Sequence, residues 1–490
     1  MTSAKADFVH LHVHTTYSLL DSTLRLSDLF EKAKEYKMPA IAMTDHGNLF
    51  GAIEFYQQAQ KAGIKPIIGC ELYVAPKSRF DKSPSGIDES SRHLVVLVKN
   101  MQGYKNLLKL TTAGYLEGFY YHPRVDQELL HRYSEGLIAT SACLHGEVAS
   151  YLLKGDREAA IKAARECQDI FGQGNFYLEI MENGLPEQQI ANEGILEISR
   201  LLSIPVVATN DCHYLQAHDA EVHEVLQCIQ AGKTLEDKEH LRFETNQSYL
   251  RSPEEMKSLF SYCPEAISNT VLIADKCNLS RELDGSRPPQ FQLKDGCTLD
   301  ECLAKIAYEG PNRMLPAIAT DFSPEKRDYI FRYVTEKYGI DHVAKIITFR
   351  KMRAKSAIRN VGHALNIPYA DVDAIAKMVP NGQNISLDDA FNKERRLRDA
   401  ARNSEKIEKL LSLSWALVGL IIHTSTHSAG MVISEKPLVD MVPLCLDSEN
   451  NLVTQYSVND LQSMGLSIFN FLGRNSRHEE KRKGGMVNEL

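Results

Sequence analysis

The 490-residue chain has no uninterrupted apolar run approaching the roughly 18–20 residues of a membrane-spanning helix, which argues against a helical anchor. No secretory signal is expected either. The N-terminus, MTSAKADFVHLHVH, has no apolar core and passes almost at once into strand-like sequence. Cysteine is sparse: ten residues lie scattered without a framework of short spacings, so a disulfide-stapled fold is excluded and reduced thiols in a cytoplasmic setting are expected. A general excess of basic charge is missing too. With 56 Lys and Arg against 64 Asp and Glu the formal net charge is -8, so any hold on nucleic acid must come from local patches or bound cations. What remains is an ordinary globular composition, 43% hydrophobic and 24% charged, long enough for two or three domains.

From Phe8 to about Ser280 short apolar strands alternate with amphipathic segments. The predicted strands are 8–14 (FVHLHVH), 40–45 (AIAMTD), 66–72 (PIIGCEL), 93–98 (HLVVLV), 136–141 (GLIATS), 176–180 (FYLEI) and 204–210 (IPVVATN). Between them LSDLFEKAKEYK, IEFYQQAQKAG, REAAIKAARECQDIF and QQIANEGILEISRLLS have helical periodicity. Seven β-then-α units in succession predict a parallel sheet, most simply a closed or nearly closed barrel. Such barrels carry their chemistry at the C-terminal ends of the strands. Around 281–293 the text becomes RELDGSRPPQFQL, a linker by composition. The following region reads as mostly helical (326–338, 351–365, 404–420), with strand-like pieces at 346–349 and 430–434. The last stretch, RNSRHEEKRKGGMVNEL, is polar and aperiodic, as in a disordered tail. The expected division is therefore 1–285, 286–473 and a tail from 474.

Metal-capable side chains stand at or beside one end of six of the seven predicted strands. The first ends in His12-Val13-His14, whose alternation turns both imidazoles to one face, with His10 one step deeper. Asp21 follows in the next loop. The second strand ends at Thr44-Asp45-His46-Gly47 and the third at Glu71, while the fourth opens with His93. Cys143 follows the fifth, and Asp211-Cys212-His213 closes the seventh. An HxH alone means little in a chain with 17 histidines, and a lone cysteine is usually a small buried hydrophobe. The coincidence at strand ends is what points to a metal site. Imidazole, carboxylate and a thiolate suit zinc, manganese or iron rather than magnesium or calcium.

These same residues resemble the polymerase-and-histidinol-phosphatase (PHP) family. The flanking text HLHVHTTYSLLD, AMTDHGNLFGAIEFY, YLEGFYYHPRVD and VATNDCHYL is similar to the PHP domains of bacterial DNA polymerase III α subunits, over about residues 6–285. The resemblance implies an α/β fold, a distorted (β/α)7 barrel holding three divalent metal ions. It assigns His12, His14, Glu71 and Asp211 to the first ion. Glu71 would bridge to a second held by His93 and Cys143, and Asp21, His46 and His213 would hold the third. Clustered divalent ions make water acidic near neutral pH and offset phosphoryl charge, so phosphoester hydrolysis is the expected chemistry, through His12, His14, Asp211 and His213 as metal holders. The resemblance further implies a 3′→5′ exonuclease on single-stranded DNA ends; a small phosphate ester is the alternative substrate.

The second half is similar to the same family, in KRDYIFRYVTEKYGIDHVAKIITF, AIRNVGHALNIPYADVDAIAKMVP, HTSTHSAGMVIS and LVTQYSVNDLQSMGL. The resemblance makes it an incomplete, mostly α-helical polymerase palm region. The family's PDxDxDF strand reads Pro316-Ala317-Ile318-Ala319-Thr320-Asp321-Phe322 here, and its FDFLG motif reads Phe469-Asn470-Phe471-Leu472-Gly473. Alanine has no lone pair to offer a metal ion, and an amide carries no charge to balance one. Loss of nucleotidyl transfer is therefore expected, reinforced by a missing GRGS loop and by a chain that stops soon after FNFLGR. Two other readings stand beside the enzyme: a non-catalytic module that binds DNA or a proofreading subunit among the replication proteins, and a degenerate or engineered product.

Overall fold

The computed structural model describes residues 6–83, 91–237, 245–279, 318–322, 324–380 and 386–473, with the backbone alone for 318–328 and 472–473. Contacts divide the chain into two compact units. One combines Met1–Ser280 with Phe349–His423; the other combines Arg281–Thr348 with Thr424–Leu490. The expected linker at 281–293, the boundary near 285 and the tail from 474 lie outside the described residues. Among the described residues no helix is long and apolar enough to cross a membrane.

The first unit is built on a seven-stranded sheet: β1 (Ala40–Met43), β2 (Lys65–Val74), β3 (Arg92–Val98), β4 (Arg124–Val125), β5 (Leu137–Thr140), β6 (Phe176–Met181) and β7 (Val206–Thr209). The order is β1-β2-β3-β5-β6-β7, with β4 on the side of β2. The predicted first strand is instead an extended segment that closes the ring. On one side Ala42 N donates to His10 O at 3.0 Å and Thr44 N to Val13 O at 2.9 Å. On the other, His14 N donates to Cys212 O at 2.8 Å and Cys212 N to His12 O at 3.1 Å. Segment 8–14 thus satisfies its backbone from both edges of the sheet.

One expectation needs correcting. β1–β2, β5–β6 and β6–β7 are parallel, but β3 runs antiparallel to both β2 and β5. A parallel return needs a crossover, usually a helix. The stretch from Val74 to Arg92 has no helix among its described residues. The reversal explains why His93 opens its strand while the other candidates close theirs. Both positions fall at the same mouth.

Helices cover the outside of the ring for reasons visible in their sequences. Leu26–Glu35 buries Leu26, Leu29, Phe30 and Ala33, spaced as one helical face. Asn100, Asp126 and Asp156 cap the helices Met101–Leu116, Gln127–Tyr133 and Arg157–Phe171 by accepting from Gly103, Leu129 and Ala159 N–H groups. The helices from Ala354 to Leu417 belong to this unit too. Val361, Leu410, Leu413 and Leu417 share one apolar core with Val225 and Leu226 of the Ala220–Ala231 helix. Arg25 fastens the layer by donating to Ala416 O and Val418 O at 2.9 and 2.6 Å.

The second unit contains a six-stranded mixed sheet: β8 (Ile318–Phe322), β9 (Val343–Lys351), β10 (Ile421–Ile433), β11 (Leu444–Leu446), β12 (Leu452–Thr454) and β13 (Ile468–Gly473). Its order is β11-β12-β9-β10-β13-β8. The helix expected at 326–338 is present as Pro324–Tyr338, those expected at 351–365 and 404–420 fall within 354–417, and the second unit has more strands than the two strand-like pieces anticipated at 346–349 and 430–434. The polar start of β10, HTSTHS, hid that strand from a hydrophobicity reading.

Leu410 is fully buried in the core shared with the Ala220–Ala231 helix. Leu410→Ala should cost about 2–5 kcal/mol. Urea unfolding followed by Trp415 fluorescence, the chain's one tryptophan, and by amide exchange in β6 and β7 should show both probes losing stability together. Amide protection in β6 and β7 unchanged by the substitution would contradict a single packed unit.

Candidate metal centre

All nine donor side chains expected from the sequence converge at one end of the ring. Glu71, in the middle of β2, is their hub: it forms an isolated bridge with His46 while the strand runs on to pair with β4. Its Oε1 lies 3.0 Å from His93 Nδ1, 3.4 Å from His12 Nε2 and 3.9 Å from Cys143 Sγ. Its Oε2 lies 2.9 Å from His46 Nδ1 and 3.3 Å from His14 Nε2. Asp211 Oδ1 sits 3.3 Å from His12 Nε2 and 3.2 Å from His14 Nε2. Asp21 Oδ2 joins His46 Nε2 at 2.9 Å and His213 Nε2 at 3.3 Å, and Cys143 Sγ is 3.6 Å from His93 Nδ1.

Three overlapping triads therefore have ligand atoms within 4.8 Å of one another: His12–His14–Glu71, His46–Glu71–His93 and His14–His46–His213. Inside this cluster His12 Nε2, His14 Nε2, His46 Nδ1, Glu71 Oε2 and Asp211 Oδ1 are buried without a hydrogen bond of acceptable geometry. Buried polar atoms are normally satisfied. Five such donors facing a common centre fit divalent cations, and the mixture of imidazole, carboxylate and thiol fits zinc, manganese or iron.

The backbone bends sharply to deliver these ligands. Asp211 itself has φ 43°, Ala142 just before Cys143 has φ 61°, and Leu20 just before Asp21 has φ 61°. Left-handed conformations cost non-glycine residues of order 1–3 kcal/mol, and they gather at functional sites. Gly47 of the TDHG turn also has positive φ, and a Cβ there would meet Pro123 Cγ at 2.7 Å. Only glycine lets the loop bearing His46 lie that close.

Several residues that carry the site carried no separate signal in the sequence. Glu179 on β6 is buried and accepts from His12 Nδ1 at 2.7 Å, while Thr140 and Thr209 hydroxyls donate to the same carboxylate. That bond fixes the tautomer and leaves Nε2 of His12 facing the cluster. Asp45 is no member of the cluster. It accepts from Thr15 N, Thr15 Oγ1 and Ser18 Oγ, and Ser18 Oγ lies 3.0 Å from His14 Nδ1. His10 points elsewhere, 2.9 Å from Arg251 O. His223 Nε2 holds Asp21 O at 2.8 Å, and His145 lies 5.3 Å from the His93 ring.

Burial works against every charge here, yet the neighbours outweigh it for most. Desolvation would lower His46, but Glu71 and Asp21 hold it up to about 10. Glu71 is pulled well below the carboxylate range by His93, His12 and His46, and Asp21 by His213 and His46. His12 and His213 pull Asp211 down in the same way. Burial together with Glu71 pushes the Cys143 thiol well up, and burial with His46 and His213 lowers His14. Three anionic carboxylates are thus balanced partly by protons where a cation could sit.

Residues 10–183 match the PHP domain family, and residues 309–473 match the bacterial DNA polymerase III alpha NTPase domain. The chain is similar to the DNA polymerase III subunit alpha of Borreliella burgdorferi, with 37% identity across 96% of this chain and 49% of the relative. The corresponding figures are 34%, 98% and 49% for the Treponema pallidum subunit, and 33%, 96% and 51% for that of Thermus aquaticus. The chain spans about half the length of these curated relatives.

Metal binding must displace the protons now held on His46 and Cys143. Since their pKa values are raised, to about 10 for His46, divalent affinity should climb as pH rises from 6.5 to 8.5, about tenfold per unit for each proton lost. Calorimetric titration with Mn²⁺ in buffers of differing ionisation heat measures that release. Binding without proton release would contradict the arrangement.

Proposed function

We propose, for a chain that belongs to the bacterial DNA polymerase III alpha family and carries its PHP domain, that the barrel mouth hydrolyses phosphodiesters at DNA 3′ ends while the second half no longer transfers nucleotides. The observation that carries the first part is the convergence of Glu71 and eight further donor side chains at one mouth, with five buried polar atoms lacking hydrogen bonds. In this reading His12, His14, Glu71 and Asp211 would hold one ion, Glu71, His93 and Cys143 a second, and Asp21, His46 and His213 a third. Zinc or manganese would suit the donors, with iron possible by the same chemistry. When bound, divalent ions supply Lewis acidity, making water a nucleophile near neutral pH and offsetting phosphoryl charge.

The protein's own share is preorganisation. Glu179 orients His12, Ser18 and Asp45 orient the His14 loop, and the left-handed turns lock Asp211, Cys143 and Asp21 in place. His12 and His14 have side chains 0% exposed, whereas Asp21 and His93 are 20% and 16% exposed. A substrate would therefore approach over the Asp21–His46–His93 side. Half-buried His122 lies there, its pKa lowered by burial and by His46 and His93 to about 4. Its neutral N–H can hold a phosphoryl oxygen without bringing a second cation. DNA ends as substrate imply replication proteins as partners and the cytoplasm as the place of work.

For the second half, Asn470 on β13 pairs with Ala319 on the parallel strand β8. The register supports the reading that these two positions, with Ala317 outside the described residues, are where the family keeps its carboxylates. None of the three can bind magnesium as an anion.

The full chain, stripped with chelator and reloaded with Mn²⁺ or Zn²⁺, should shorten a 5′-labelled single-stranded oligonucleotide from its 3′ end. His12→Ala and Asp211→Ala should each slow this at least about a hundredfold. Hydrolysis indifferent to chelator and to both substitutions would sink the enzyme reading. Primer extension with Mg²⁺ should yield no product, and a measurable product would overturn the loss of polymerase chemistry.

A further inference from the structure

Two loops beside the metal centre present aromatic rings to solvent. Phe80 is 59% exposed, Phe119 49% and Tyr121 51%. An exposed ring standing alone is unremarkable in a folded protein. These three differ in that one buried guanidinium fastens their loops together. Arg124, only 2% exposed, donates from Nε to Gly118 O at 3.1 Å and from Nη2 to Arg79 O and Asp81 O at 3.2 and 2.8 Å. Arg79 is anchored in turn by Asp126 at 2.9 Å and by Glu117 at 2.6 Å, and its guanidinium lies 4.3 Å from the centre of the Phe80 ring. At Gly118 a Cβ would meet Arg124 O at 1.9 Å, so the loop bearing Phe119 and Tyr121 closes tightly on its own backbone. Tyr121 is held at φ 60° within a small bridge between Tyr120 and His122. The rings are kept outside by a rigid base.

The platform is continuous with the centre. His122, the residue after Tyr121, stacks on Tyr73 with centroids 4.3 Å apart and planes 14° from parallel. Tyr73 in turn lies 5.6 Å from the His46 ring and 5.1 Å from the His93 ring. Lys77 and Lys82, both exposed, flank Phe80 on the same loop. Aromatic faces beside cationic side chains are the arrangement that binds single-stranded nucleic acid without reading its sequence: bases stack on the rings and phosphates meet the charges. A protein partner would be served as well by aliphatic side chains, and the loops offer none between Lys77 and Lys82.

We propose that Phe80, Phe119 and Tyr121 form a base-stacking platform that guides a single-stranded DNA end into the metal centre. The proposal rests on the hydrolase reading for its purpose, but binding is measured separately. An oligonucleotide carrying 5-iodouracil on a hydrolysis-resistant phosphorothioate backbone is cross-linked by light to the metal-loaded full chain, and the adducts are mapped by mass spectrometry. Adducts should fall on peptides containing Phe80, Phe119 or Tyr121. Phe80→Leu combined with Phe119→Leu keeps apolar bulk while removing both rings, and should cut their yield about tenfold or more with the melting temperature kept. A Tyr121→Asn variant, whose side chain tolerates positive φ, provides an independent check.

Adducts elsewhere only, no adducts, or a yield unaffected by these substitutions would overturn the platform. Capture of a protein by this face without DNA adducts would overturn it equally. Hydrolysis of bis(p-nitrophenyl) phosphate, which has no bases to stack, separates the two readings. If that ester is not cleaved but the adducts form, the hydrolase reading fails and the platform stands. If it is cleaved and the rings give no adducts, the platform alone fails.

Discussion

A single buried carboxylate organises the first unit. Glu71 is 1% exposed, and imidazoles from three separate segments, together with the Cys143 thiol, reach its two oxygens. A carboxylate so placed is too costly to bury without compensation, since removing a charge from water carries a penalty of several kcal/mol. Compensation arrives from the extended segment, the TDHG turn, β3 and the loop after β5. Each must end within bonding distance of the same two oxygens, so the electrostatics of one residue constrain where four pieces of chain stop.

The ring accommodates that demand through departures from regularity. β3 runs backwards, β2 continues past Glu71 to pair with the two residues of β4, and segment 8–14 closes the ring by alternating hydrogen bonds to both edges. A regular parallel barrel would have brought only strand C-termini to the mouth. Reversing one strand admits His93 from an N-terminal end. The strained turns at Asp211, Ala142 and Leu20 serve the same purpose on a finer scale.

Much of this was legible in the sequence, and the reasons differ by residue. His12 and His14 were visible because strand alternation fixes the face of both, and His46 and His213 because each adjoins the end of an apolar run. Glu179 was hidden: it sits inside FYLEI, where a buried strand offers no polar periodicity to mark it, and its role depends on meeting His12 across the ring. Asp45 adjoins His46 in the same turn, yet its carboxylate turns to Thr15 and Ser18. One residue of displacement along the turn reverses its direction. The direction of β3 was unreadable because hydrophobic runs carry no polarity, and only the absence of an intervening helical pattern hinted at it. The sheet of the second unit was partly concealed by polar strand residues, and the sharing of one apolar core by Val225 and Leu410 is a long-range fact that no local pattern encodes.

The discontinuity of the first unit bears on how the chain is made. The barrel's outer layer is completed by 349–423, which leaves the ribosome only after the whole intervening segment 281–348. Until then the apolar faces of Val225 and Leu226 have no cover, and a nascent chain must keep them from other partners. Closure over so long a separation carries a loop-entropy cost and slows acquisition of the native state. Synthesis therefore delivers the donor-lined mouth well before the layer that braces it, and a chain released early would display the one without the other.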